Sequence, residues 1–177
     1  MSLRPALFCT LRALTVAALL AAGGAAHADD YSDVAKLVRE GKTAQAITQA
    51  DKYLSANQRD PQMRFLKGTA QAAAGQNDEA ITTFTQLTEE YPELPEPYNN
   101  LAVIYASQDR LDQARSALET AVRNNPGYAV AHENLGDIYA RLAFQSYSRS
   151  QQLRGPNKAL KLKLSTLRSL LQAPAPH

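Results

Sequence analysis

Between residues 98 and 126 the apolar positions fall into two stripes. Leu101 and Tyr105, with Ala102 beside Leu101, share one helix face; after a polar break at Gln108 and Asp109, Ala114, Leu118 and Ala121 follow at steps of four and three. Small residues at Ala102, Ala114 and Ala121 let two helices approach closely, and Tyr105 and Leu118 fill the space between them. The pattern predicts a helical hairpin. It closes at Asn124, Asn125 and Pro126, where proline cannot continue a helix and asparagine accepts a turn.

The pattern then returns. Asn100, Leu101, Ala102 and Tyr105 reappear 34 residues later as Asn134, Leu135, Gly136 and Tyr139, and at the same interval Pro92 precedes Pro126 and Ala80 precedes Ala114. A constant interval of this length marks an array of helical repeats. The same phase reaches back through Ala80, Phe84 and Leu87 to Ala46, Ala50 and Tyr53, with Gly41 one period before Gly75. The first unit is the most degenerate, carrying Val34 where later units have Gly or Ala, as terminal units commonly do. Asp60 and Pro61 predict the start of the second unit, a capping residue followed by a proline suited to a first turn. Phe65, Leu66, Gly68 and Ala72 belong to its inner face, and the prolines at 92, 95 and 97 predict a stiff connection into the third unit.

The series Tyr98, Leu101, Ala102, Tyr105, Ala114, Leu118, Ala121 and Pro126 resembles the tetratricopeptide repeat, with Tyr98 where the family has tryptophan and Ala102 where it has glycine. Gly136 restores that glycine in the next unit. The resemblance covers roughly residues 29–153 and implies an all-α fold, an α-α superhelix of about four hairpins at 29–60, 61–94, 95–128 and 129–154. A C-terminal capping helix is expected over 155–172 and a disordered tail over 173–177.

The fourth unit departs from the pattern. Where Ala114, Leu118 and Ala121 project one period on, Ser148, Gln152 and Gly155 stand, the wrong chemistry for a buried stripe. Either the turn after Leu142 is shortened or the helix runs on; both remain open until Gly155 and Pro156 end it. The last helix places Leu160, Leu164, Leu167 and Leu171 on one side, as a helix closing the end of an array requires. Lys158, Lys161, Lys163 and Arg168 form a basic face mostly elsewhere.

Residues 1–28 read as a secretory signal peptide. Arg4 and Arg12 precede the apolar run 13–20, and Ala26, His27 and Ala28 form a small-residue cleavage pattern, so removal is expected after Ala28. Cys9 is the one cysteine, and it precedes the apolar run, which argues against a lipid anchor. The mature chain then lacks cysteine, which excludes disulfides, thiol catalysis and cysteine metal sites. The bacterial periplasm is the expected location.

Little here points to catalysis. His132 is the one histidine within a repeat, one period beyond Tyr98, and is expected to pack between helices; a lone imidazole lacks partners for a triad or a metal site. No phosphate loop or HExxH motif occurs. The expectation is a non-enzymatic chain without metal or cofactor.

In a stacked array the first helices of successive units line the concave side. Their outward positions, Phe65, Thr69, Asn99, Val103, Ser107, Glu133, Asp137 and Arg141, form the candidate surface for a protein or peptide partner. Some members of the family grip a terminal carboxylate there with Lys, Arg and Asn; the mainly neutral and acidic set here suits an extended or helical segment with neutral and basic side chains instead. The resemblance implies an adaptor in envelope assembly, cell-wall work or secretion.

Charge is unevenly spread. Residues 29–137 hold 17 acids and 10 bases, and residues 138–177 hold seven bases and no acid. The basic end is expected to dock on acidic repeats of its own or a second chain; the alternative is contact with an anionic membrane surface. Without interleaved aromatic residues, nucleic acid is not an expected partner.

Overall fold

The computed structural model describes residues 29–155 and 157–172. The leader expected over 1–28 and the tail expected over 173–177 lie outside the described residues. Within them the chain is helical throughout, without a strand. Helix α1 occupies 29–39, followed by α2 (Thr43–Ala56), α3 (Pro61–Ala73), α4 (Asn77–Glu90), α5 (Pro95–Ser107), α6 (Leu111–Asn124), α7 (Ala129–Arg154) and α8 (Lys158–Gln172). That order is the expected all-α series of about four repeat units ending in a C-terminal helix. The chain divides between Gln76 and Asn77 into two compact units.

The first unit contains α1 to α3. Val34, Ala46, Ala50, Met63 and Ala70 are fully buried at its centre, with Leu37, Ile47, Tyr53 and Leu66 packed around them. Asp60 caps α3, accepting a hydrogen bond from the Met63 amide at 2.8 Å. The same carboxylate accepts from the hydroxyls of Tyr31 and of Tyr53, the latter at 3.3 Å. Burial and then the bond to Asp60 push the Tyr31 phenol well above its ordinary pKa. One capping residue therefore ties α1, α2 and α3 together.

The second unit contains α4 to α8. Ala102, Leu111, Ala114, Leu118, Ala121, Ala131 and Ile138 form its buried cluster, with Tyr98, Tyr105, Leu135 and Leu142 packed against it. Pro95 and Pro97 are buried within the first turn of α5, where a missing amide costs nothing because that amide has no helical partner. They start the third unit rather than extending the connection before it. Asn124 donates from Nδ2 to the Pro92 carbonyl at 2.7 Å and joins the two ends of the α5–α6 hairpin.

Three helices end in the same way. Gly41, Gly75 and Asp109 have φ of 71°, 75° and 58°, at the 34-residue interval. After each, the next amide reaches back to the fifth residue before it: Lys42 to Leu37, Gln76 to Gln71 and Arg110 to Tyr105, all at 2.9 Å. This left-handed closure turns the chain sharply while satisfying carbonyls the helix leaves open. Position 143, one period beyond Asp109, is alanine, a strong helix former that resists positive φ. The helix runs on, and α7 reaches 26 residues.

This settles the alternatives left open for the fourth unit. Residues 129–154 form one helix, ended by Gly155 at φ 77°. Helix α8, begun where Asn157 Oδ1 accepts from the Leu160 amide at 3.1 Å, folds back on the second half of α7. Lys163 stands 4.9 Å from the Tyr147 ring and Arg168 5.7 Å from that of Phe144. Leu164 is buried, Leu160 and Leu167 are half-buried, and Leu171, expected on the same inner side, is exposed because α8 has no partner that far along.

Asp109 supplies a test of the turn. Asp109→Ala places a β-carbon in the left-handed region without a side-chain hydrogen bond and is expected to destabilise the chain by about 1–2 kcal/mol. Asp109→Gly is expected to lose less, and thermal denaturation of the pair checks the order. Asp60→Ala is expected to cost at least the roughly 1 kcal/mol of a lost cap, read as a lower urea midpoint, with Asp60→Asn in between.

Candidate partner-binding surface

The outward positions of α5 and α7 are related by the repeat: 99, 103 and 107 on one helix correspond to 133, 137 and 141 on the other. Helices α5 and α7 touch, so both stripes belong to one surface. Two of the six side chains do not face solvent freely. Asn99 is buried, 6% exposed, and its Oδ1 accepts from Nδ2 of Asn134 at 2.8 Å. The expectation that Asn99 lies open to a ligand is corrected: a buried amide needs a partner, and Asn134 on the neighbouring helix supplies it.

Arg141 is likewise occupied. Its Nη1 donates to the Ala106 carbonyl at 2.9 Å and its Nη2 to Asp109 Oδ1 at 3.0 Å. The guanidinium thus holds the last turn of α5 and the left-handed residue after it. Both contacts clip α5 to α7, one near each end of the stripe.

What remains open is a strip of four. Val103 is 51% exposed, and Ser107, Glu133 and Asp137 are exposed. The Ser107 hydroxyl donates to the Ile104 carbonyl at 2.7 Å and keeps its acceptor lone pairs for a ligand. The strip is an apolar centre bordered by two carboxylates. Phe65 and Thr69 lie on α3 in the first unit, half-buried, with the Thr69 hydroxyl bonded to the Phe65 carbonyl at 2.9 Å.

The basic face of α8 also separates into two pairs. All four are exposed, but Lys163 and Arg168 lie over aromatic rings of α7, whereas Lys158 and Lys161 line a groove with Leu162. His132 is exposed, with Nε2 3.0 Å from the Pro126 carbonyl. The expected place between helices is corrected, because the second helix that would cover it is absent. Among the described residues no group of His, Cys, Asp and Glu is arranged to hold a metal ion, and no helix is long and apolar enough to cross a membrane.

Two sequence models of the tetratricopeptide repeat family match residues 71–142 and 36–95. Together they span more than half of the chain. A tetratricopeptide repeat domain-containing chloroplast protein of Arabidopsis thaliana, PYG7, is 43% identical over 49 residues, 28% of this chain and 16% of that protein's length. Among solved structures, a thermophilic tetratricopeptide protein of Thermus thermophilus is similar with a TM-score of 0.62 at 24% identity, over 81% of this chain and 82% of that one. The first such domain of Spaghetti (RPAP3), bound to the HSP90 peptide SRMEEVD, gives 0.60 at 18% identity, over 64% and 90%. At these identities the structures speak for the fold alone.

Asn99→Leu removes the acceptor of the Asn134 amide inside a packed contact. It is expected to lower stability by about 1–3 kcal/mol, measured by chemical denaturation, and to leave the open strip of four in place.

Proposed function

Because this chain belongs to the tetratricopeptide repeat family, we propose that it is a non-enzymatic adaptor that holds a polypeptide segment along the open strip of α5 and α7. The carrying observation is the contrast within one stripe. Asn99 and Arg141 are spent on fastening the two helices, while Val103, Ser107, Glu133 and Asp137 are left exposed between those fastenings. A surface held in place before a ligand arrives has less ordering entropy to lose on binding.

The chemistry of the strip selects the segment. Spaghetti was solved with a peptide that ends in acidic residues; a strip carrying Glu133 and Asp137 repels such a sequence and attracts Lys or Arg. The ligand we propose is a neutral to basic segment, extended or helical, with an apolar side chain for Val103. Export after cleavage at Ala28 and a role in envelope assembly, cell-wall work or secretion are part of the same proposal, supported by the leader pattern in residues 4–28.

A photoreactive amino acid at position 103 tests it inside cells. The expected result is capture of a discrete partner, reduced at least several-fold when Glu133→Lys and Asp137→Lys are combined in a chain of unchanged helicity. Capture indifferent to both reversals would remove the strip as the binding surface.

A further inference from the structure

One face of the first half of α7 carries the residue pattern of a packed helix face, and no helix covers it. Gly136 stands in the interior of a 26-residue helix, where glycine is less favourable than alanine. A β-carbon built there would meet nothing within 4 Å. Glycine in a helix serves a close approach by another backbone. His132 and Tyr139 share its face at helical spacing; both are exposed, Tyr139 by 48%. One period earlier, the corresponding Ala102 is 1% exposed in the cluster that includes Ala114 and Leu118 of α6.

A second uncovered surface lies on α8. Leu162 and Leu170 are 68% and 57% exposed, and Lys158, Ala159, Lys161, Leu162 and Ser165 line one shallow groove. From residue 138 onward the chain has no acid. The open face of α7 is bordered by acids instead: Glu133 and Asp137 on its own helix, and Glu119 of α6, which accepts the Tyr139 hydroxyl at 3.1 Å. The two surfaces do not meet within one chain. Helix α8 faces the second half of α7 through Leu164 and turns Leu162 to solvent.

We propose that the open face of α7 seats the outer face of α8 from a second copy of this chain. In a two-fold dimer each chain gives both surfaces, so the contact forms twice. Leucines and lysines of one copy cover Gly136 and its acidic border on the other. The pairing accounts for a glycine that the free chain does not use, leucines left in water and opposite charges on the two surfaces. Glu133 and Asp137 border both this face and the strip on α5 and α7, so a second copy and the partner segment meet the same two carboxylates, whereas Gly136 belongs to the dimer face alone.

Sedimentation velocity on protein expressed from the full 177-residue sequence, purified as the cell leaves it, tests the dimer. The expected result is a reversible dimer with Kd below about 100 µM. Gly136→Leu and Leu162→Glu should each weaken it about tenfold or more, with helicity unchanged. Gly136→Leu should also hold or raise the thermal midpoint, because its side chain enters open space and the glycine penalty is gone. Mixing the two variants is the decisive step: one contact in the mixed dimer is intact, so the mixture should associate more tightly than either variant alone. A wild type that stays monomeric overturns the proposal, as does a dimer indifferent to Gly136→Leu or a mixture without rescue. A monomer that floats with anionic vesicles, and ceases to with Leu162→Glu, would give the outer face of α8 to lipid instead.

Discussion

Two helices lie backbone against backbone only where the side chains between them are small, and in this chain alanine meets that condition. Ala46, Ala50 and Ala70 in the first unit, and Ala80, Ala102, Ala114, Ala121 and Ala131 in the second, are at most 1% exposed. Alanine favours the helix and has no rotamer freedom to lose on burial. Larger side chains then fill what the close approach leaves open: Met63 in one unit, Phe84, Leu87 and Leu118 in the other. A bulkier residue at an alanine position would force the helices apart along the whole seam. The spacing of alanines therefore sets the repeat, and the aromatic and leucine positions follow from it.

Close packing also demands that the chain reverse within a few residues. One left-handed residue accomplishes this after α1, α3 and α5, and the third of these, Asp109, adds a carboxylate that Arg141 grips. The turn and the α5–α7 contact are thereby linked: the residue that ends one helix also fixes the next first helix against it. Where the left-handed residue is missing, at Ala143, the repeat opens into a long helix with a displaced partner.

Much of this was legible in the chain itself, since Leu101, Ala102, Ala114, Leu118 and Ala121 are buried for the reason their spacing suggests. The stripe that fails at Ser148 and Gln152 leaves two alternatives for the fourth unit, and the residue that decides between them is Ala143, where the left-handed turn residue is missing. Other features had weaker signals. In α3 the buried stripe runs through Met63 and Ala70 with Arg64 and Gln71 buried beside them, and polar residues at such positions hide the helix face. Asn99 and Arg141 read as surface because their residue types usually are; only the placement of Asn134 and Asp109, brought close by folding, turns them inward.

The length of α7 has a mechanical consequence. Its buried anchors, Ala131 and Ile138, and its tie to α5 through Arg141 all lie in its first half, and about 20 Å of helix extends from Arg141 to Arg154. A rod gripped in one half amplifies small rotations: a pivot of about 5° at the anchors carries the far tip through about 2 Å. Helix α8 travels with that tip, so a slight adjustment beside α5 becomes a displacement large enough to be felt at the opposite end.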